Sequence, residues 1–98
     1  MARFTNDGKS LFIDGKKVLC GFESFNGWYW FATEKKGEQL SDFGEGKGVP
    51  DTIWFGLVQG FEEEWGYFSQ AEIERLGNRA WKIKACDLPY SGRRSEAQ

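Results

Sequence analysis

Apolar positions along this chain fall into short runs broken by glycine-containing turns, with helical spacing in one place only. Ser10-Leu11-Phe12-Ile13 and Lys16-Lys17-Val18-Leu19-Cys20 are separated by Asp14-Gly15, a pair suited to a type I′ turn because both central positions need positive φ. The spacing predicts a first β-hairpin, whose second arm continues through Gly21-Phe22-Glu23 with the glycine marking a bulge. Phe4, ahead of the Asn6-Asp7-Gly8 turn signal, predicts no more than a short edge strand. Asn26-Gly27 repeats the turn chemistry, and Trp28 to Glu34 follows as a third strand closed by Lys35-Lys36-Gly37.

From Glu38 to Asp51 the pattern dissolves into Gly44, Gly46, Gly48 and Pro50 among charges, which reads as a mobile loop. The near-continuous apolar run from Asp51 to Gln59 predicts a fourth strand placed centrally in a sheet. Gly60-Phe61-Glu62-Glu63-Glu64 turns the chain, and Trp65-Gly66-Tyr67-Phe68 makes a short fifth strand. Ser69-Gln70-Ala71-Glu72 is a capping box, in which the serine hydroxyl and the glutamate carboxylate each satisfy a free backbone amide. Ile73 and Leu76 give the helix an apolar side, and Gly77-Asn78 ends it. Trp81, Ile83 and Ala85 alternate with Lys82, Lys84 and Cys86, so a last strand should turn its apolar face inward and its basic face to water. The expected fold is a small α+β domain over residues 1–90, an antiparallel sheet of five or six strands with one short helix packed on it. Residues 91–98 carry too little apolar content to fold and form a disordered tail.

Composition supports a single core. The 98 residues include five Trp and nine Phe, and each such ring buries about 150–250 Å². Cys20 and Cys86 match no disulfide framework and are expected as reduced buried thiols. No apolar run approaches the roughly 18 residues of a membrane span, and the N-terminus lacks the apolar stretch of a signal peptide, so a cytoplasmic protein is expected. Net charge is −2 but unevenly spread: +1 over residues 1–33, −6 over 34–76 and +3 over 77–98. That distribution argues against one continuous basic face.

The chain has no histidine, which removes the commonest general base and metal ligand. No catalytic residue, cofactor or metal is assigned. Asp42-Phe43-Gly44-Glu45-Gly46-Lys47-Gly48 lacks both the spacing and the Gly-Lys-Ser/Thr ending of a phosphate loop. Glu62, Glu63 and Glu64 read as an exposed acidic turn, with Glu64 beside Trp65 and in reach of Arg79, Lys82 or Lys84 as a mate. With Asp42 and Glu45 these residues are the candidate partner-binding set. A carboxylate enzyme would instead need acids such as Glu34, Glu64 and Asp87 to converge.

The order Trp30-Phe31-Ala32-Thr33-Glu34, Phe55-Gly56-Leu57, Glu64-Trp65-Gly66-Tyr67-Phe68-Ser69-Gln70-Ala71-Glu72-Ile73-Glu74, then Asp87 resembles an uncharacterised family of small bacterial proteins. Members, often carried on plasmids and phages, share a Trp…Thr-Glu, Phe-Gly-Leu, Glu-x-Gly-Tyr-x-Ser-x-x-Glu pattern. The match spans roughly residues 28–87, and the N-terminal hairpin has no counterpart in it. The resemblance implies a mobile-element context and no activity. Together with the acidic middle it frames the leading expectation, a non-catalytic protein-binding module that inhibits a host nucleic-acid-handling or defence enzyme, as monomer or homodimer. The alternative is a single-stranded nucleic-acid binder that stacks bases on Trp28, Trp30 and Trp54 beside Lys16, Lys17, Lys82 and Lys84.

Overall fold

The Asp14-Gly15 turn forms as its chemistry requires, with φ of 52° and 81°, and it starts the chain on a small sheet. In the computed structural model, which describes residues 2–44 and 46–83, β1 (Phe4–Asn6), β2 (Leu11–Ile13) and β3 (Lys16–Lys17) form a three-stranded antiparallel sheet in the order β1-β2-β3. A second, five-stranded antiparallel sheet follows: β4 (Cys20–Ser24), β5 (Tyr29–Ser41), β6 (Val49–Gln59), β7 (Glu63–Ser69) and, after the helix, β8 (Ala80–Ile83). Its order is β7-β6-β5-β4-β8. Helix α1 (Gln70–Glu74) and a single 3-10 turn (Gly77–Arg79) bridge β7 to β8. The fold is broadly α+β with little helix, and its strands are divided between two sheets where a single sheet was expected.

The span 38–51 departs from the predicted loop. β5 and β6 continue as a paired ribbon as far as Ser41↔Val49, leaving a short connection between them. Charges do not prevent strand formation where a two-stranded ribbon stands in water, and the pairs Lys35–Glu38 at 2.6 Å and Lys36–Glu34 at 3.1 Å lie along it. Register shifts between Ala32/Glu34 and Lys35/Gly37 mark bulges where the ribbon leaves the main sheet's regular pairing. Gly56 lies opposite Ala32 at the first bulge, where an added Cβ would sit 1.8 Å from the Phe31 carbonyl oxygen, so only glycine fits.

Strand pleating divides the side chains of the main sheet into two layers. On one face Phe31, Tyr29 and Leu57 pack against Leu11, Ile13 and Val18 of the small sheet, with Phe4, Trp65 and Ile83 around them. On the other, Cys20, Phe22, Ala32 and Phe68 pack against Ile73 of the helix and Ala80, flanked by Trp30, Trp54, Val58 and Leu76. The sheet is thus the middle of three layers.

A buried carboxylate holds the helix to the sheet. Ser69 caps α1, its hydroxyl accepting from Glu72 N–H at 3.0 Å, which is the serine half of the expected capping box. The carboxylate beside it is Asp51, which accepts from Ala71 N–H at 2.8 Å, from Ser41 Oγ at 2.7 Å and from the Ser69 hydroxyl. Burial alone would raise the Asp51 pKa, yet the bonds from Ser69, Ala71, Ser41 and Thr52 outweigh it and hold the carboxyl below its ordinary value.

The last strand also differs from its expected alternation. Ala80 is buried and Ile83 reaches the small-sheet core, but Trp81, on Ile83's face, lies at the sheet margin with an exposed ring. Cys20 is a buried free thiol whose pKa is raised by burial and only partly lowered by Lys82. Ala85, Cys86 and the expected tail 91–98 lie outside the described residues. No described helix is long and apolar enough to cross a membrane.

Candidate functional site

Two tight turns at one end of the sheet deliver aromatic rings to the helix-side face. In the first, between β4 and β5, Ser24 N–H donates to the Trp28 carbonyl at 2.9 Å and Gly27 takes φ of 89°. Phe25 N–H donates to the Arg79 carbonyl at 2.8 Å, which ties this turn to the 3-10 turn. In the second, between β6 and β7, Gly60 N–H donates to the Glu62 carbonyl at 3.1 Å and leaves Phe61 at the tip, 95% exposed. A residue placed between a glycine and three acids in so short a turn has nothing to fold beneath.

The two turns meet through Trp28. Its indole lies directly on Gly60, where an added Cβ would come within 2.4 Å of Trp28 Cζ3. The Phe61 ring meets Trp28 edge-on at 5.4 Å, and Trp30 lies 5.9 Å from Trp28 on the other side. Phe61, Trp28 and Trp30 therefore make a continuous aromatic ledge. A recess of about 250 Å³ opens on each side of it. One is lined by Trp28, Trp30, Phe25, Leu76 and Arg79, the other by Trp28, Val58, Phe61, Glu62 and Glu64. The ledge thus has a guanidinium at one end and two carboxylates at the other.

The acidic triplet does not act as one exposed turn. Glu63 and Glu64 are the first residues of β7, so pleating sends them to opposite faces. Glu64, aligned with Val58 and Trp30, joins Glu62 at the ledge. Glu63 faces the small sheet, where it accepts from Ala2 N–H at 2.9 Å and from Gln59 Nε2 at 3.0 Å. Trp65 goes with Glu63, stacked on Phe55 at 6.1 Å and covered by Lys16 Nζ at 5.3 Å. Arg79 and Lys82 are not brought to Glu64: Arg79 lines the recess on the other side of the ledge, and Lys82 lies on β8 at the opposite edge of the sheet. Lys82 and Glu64 close the two ends of one cross-strand row through Phe22, Trp30 and Val58, four strand spacings or about 19 Å apart.

The rest of the predicted set is dispersed. Asp42 sits in the connection at the far end of the β5–β6 ribbon, accepting from Gly44 N–H at 2.8 Å and Gly46 N–H at 3.3 Å. The length of β6 puts it roughly 30 Å from Glu62. Glu45, Lys84 and Asp87 lie outside the described residues. Glu34 pairs with Lys36 and aligns with Phe55, and is not brought to Glu64. Of the bases proposed to accompany the tryptophans, Lys16 and Lys17 are on β3, in the other sheet. Trp54 donates Nε1–H to Gln70 Oε1 at 2.9 Å and packs against the helix-side core.

Sequence reasoning missed Phe25, Phe61 and Arg79 as members of one surface. Phe61 carried a legible signal in its position next to Gly60 within a short acidic turn. Phe25 and Arg79 had none, since only the bond between their turns brings them together. No family model, curated protein or solved structure matches this chain.

Proposed function

We propose that the chain is a non-catalytic protein-binding module whose contact surface is the ledge of Phe61, Trp28 and Trp30 with Glu62 and Glu64. The observation that carries this reading is Phe61, almost wholly exposed against Trp28 beside a recess lined by Val58, Glu62 and Glu64. Aromatic anchors next to pockets are where binding energy concentrates at protein interfaces. The two carboxylates select a partner that brings an apolar or aromatic side chain together with Lys or Arg. A basic surface of that kind belongs to nucleic-acid-handling enzymes, and the mobile-element resemblance of residues 64–74 fits an inhibitor of such a host protein.

Capture from a bacterial host lysate, read by mass spectrometry, tests the surface. A partner held by the wild type should be lost on Phe61→Ala/Trp28→Ala, a weakening of about 30-fold or more, and held normally by Tyr67→Ala. Glu62→Gln/Glu64→Gln should weaken capture mainly at low salt. A partner retained in full by the aromatic double variant removes the ledge from the account. Base stacking on Trp28 and Trp30 is the second reading, favoured by their being only half-buried; Glu62 and Glu64 oppose it, since they would face the phosphates. Quenching of tryptophan fluorescence by oligothymidine with a steep salt slope would replace the first reading with this one.

A further inference from the structure

Among the described residues β7 is an outer strand of the main sheet, paired with β6 alone. Its register with β6 runs unshifted from Ile53↔Ser69 to Gln59↔Glu63, so no bulge turns the edge away. Outer strands are commonly blunted by Lys, Pro, a bulge or a short length. Glu63–Ser69 is seven residues long and has neither Lys nor Pro, and its two charged residues, Glu63 and Glu64, stand together at one end. Among the described residues, no backbone group of another element bonds to its outer side.

Gly66, at the middle of this strand, has no explanation among the described residues. Gly56 is required by the Phe31 carbonyl, and at Gly60 the Trp28 ring fills the space a side chain would take. At Gly66 an added Cβ would meet nothing within 4 Å, and its φ is not positive. A glycine in a strand interior weakens the strand and is found where another backbone approaches closely.

We propose that β7 pairs antiparallel with β7 of a second copy of this chain, about a two-fold axis centred on Gly66. Pleating allows only registers in which opposed residues share a face, and of these the one centred on Gly66 alone pairs all seven residues. It sets Gly66 opposite Gly66, Trp65 of one copy opposite Tyr67 of the other, Glu64 opposite Phe68, and Glu63 opposite Ser69. No carboxylate meets another carboxylate. Tyr67, 67% exposed although it meets Phe55 edge-on at 5.2 Å, gains a cross-strand aromatic neighbour. Phe55 and Trp65, already stacked, extend that cluster through the axis. The two sheets become one continuous sheet, and the axis, perpendicular to it, leaves both aromatic ledges on the same face.

Sedimentation velocity of the full chain over a concentration series, with no partner present, tests this independently of the ledge. The expected result is a monomer–dimer equilibrium that Tyr67→Lys shifts to monomer with unchanged far-UV circular dichroism. Directly opposed strand residues lie about 4.5–5.5 Å apart at Cα, within the roughly 4.4–6.8 Å of a disulfide. In a Cys86→Ser chain, Gly66→Cys should therefore give a disulfide-linked dimer on mild oxidation, and Glu62→Cys, outside the register, should not. Monomer at every concentration without a Gly66→Cys link overturns the proposal, including the case in which β7 captures only an unrelated extended peptide. A dimer that survives Tyr67→Lys and gives no Gly66→Cys link overturns it too, by placing the contact elsewhere.

Discussion

The two faces of the five-stranded sheet are covered to very different depths. On one, a whole second sheet seals Tyr29, Phe31 and Leu57, each at most 1% exposed. On the other, a five-residue helix and one 3-10 turn must cover a comparable area. They shelter Phe22, Phe68 and Ile73 but reach Trp30 only in part and Phe61 not at all. The chain has more aromatic surface than its small helical cover can hide, and the surplus collects at one end as the ledge. An exposed aromatic surface here follows from the shortness of α1.

That contrast can be broken by truncating each layer in turn. Phe31→Ala removes a fully buried ring from the sealed side and should cost about 3–5 kcal/mol, read by urea unfolding. Ile73→Ala, under the thinner cover, should fall near 2 kcal/mol, because a helix of this length can settle into the space. Equal losses would show that the two layers are equally rigid and would remove the stated reason for the ledge.

Asp51→Asn sharpens the comparison from the electrostatic side, since this carboxylate fastens the thin layer. Replacing the ionised acceptor of hydrogen bonds from Ser41, Ser69 and Ala71 should cost about 2–3 kcal/mol at neutral pH. The carboxyl pKa is lowered in the folded chain, so its contribution is fully present above the unfolded value of about 4 and is lost as pH falls through the folded value. Unfolding of wild type and variant should therefore converge below pH ~4. A gap independent of pH would show that the bonds, not the charge, carry the effect.

The smallest expected change is at Gly60→Ala. The added methyl displaces the far end of the Trp28 side chain, which can swing aside, so stability should change by less than about 1 kcal/mol. Partner capture should fall as it does for Trp28→Ala, because the ledge is no longer continuous. Normal capture by Gly60→Ala would mean that the seating of Trp28 has no bearing on binding.

Local chemistry made much of the fold legible in the sequence. Asp14-Gly15 and Ser69 specify a turn and a cap through φ and through one hydrogen bond, and each forms where expected; at Asn26-Gly27 the chain also turns, but only the glycine takes positive φ. What was not legible depended on distant partners. Residues 38–51 look like a loop because charge and glycine suppress the apolar pattern, yet pairing along the ribbon needs backbone groups more than apolar side chains. The candidate site was half legible. Glu62 and Glu64 belong to it, but Glu63 and Trp65 leave it because β7 begins two residues earlier than the aromatic run suggests, and strand parity then decides which face each residue serves.

The connectivity of the main sheet also sets an order of assembly. β4 to β7 form successive hairpins, each closed over a short stretch of chain, and local closures of this kind are fast. β8 alone must return across roughly sixty residues to reach β4. Its docking brings Ala80 into the helix-side core and the Arg79 carbonyl to Phe25, so the Phe25 end of the ledge is completed only when this late, long-range pairing closes. Phe61, Trp28 and Trp30 should be in place before Phe25 and Arg79 join them. Pulse-labelled hydrogen exchange should therefore find the Phe25 amide protected later than the amides along β5 and β6.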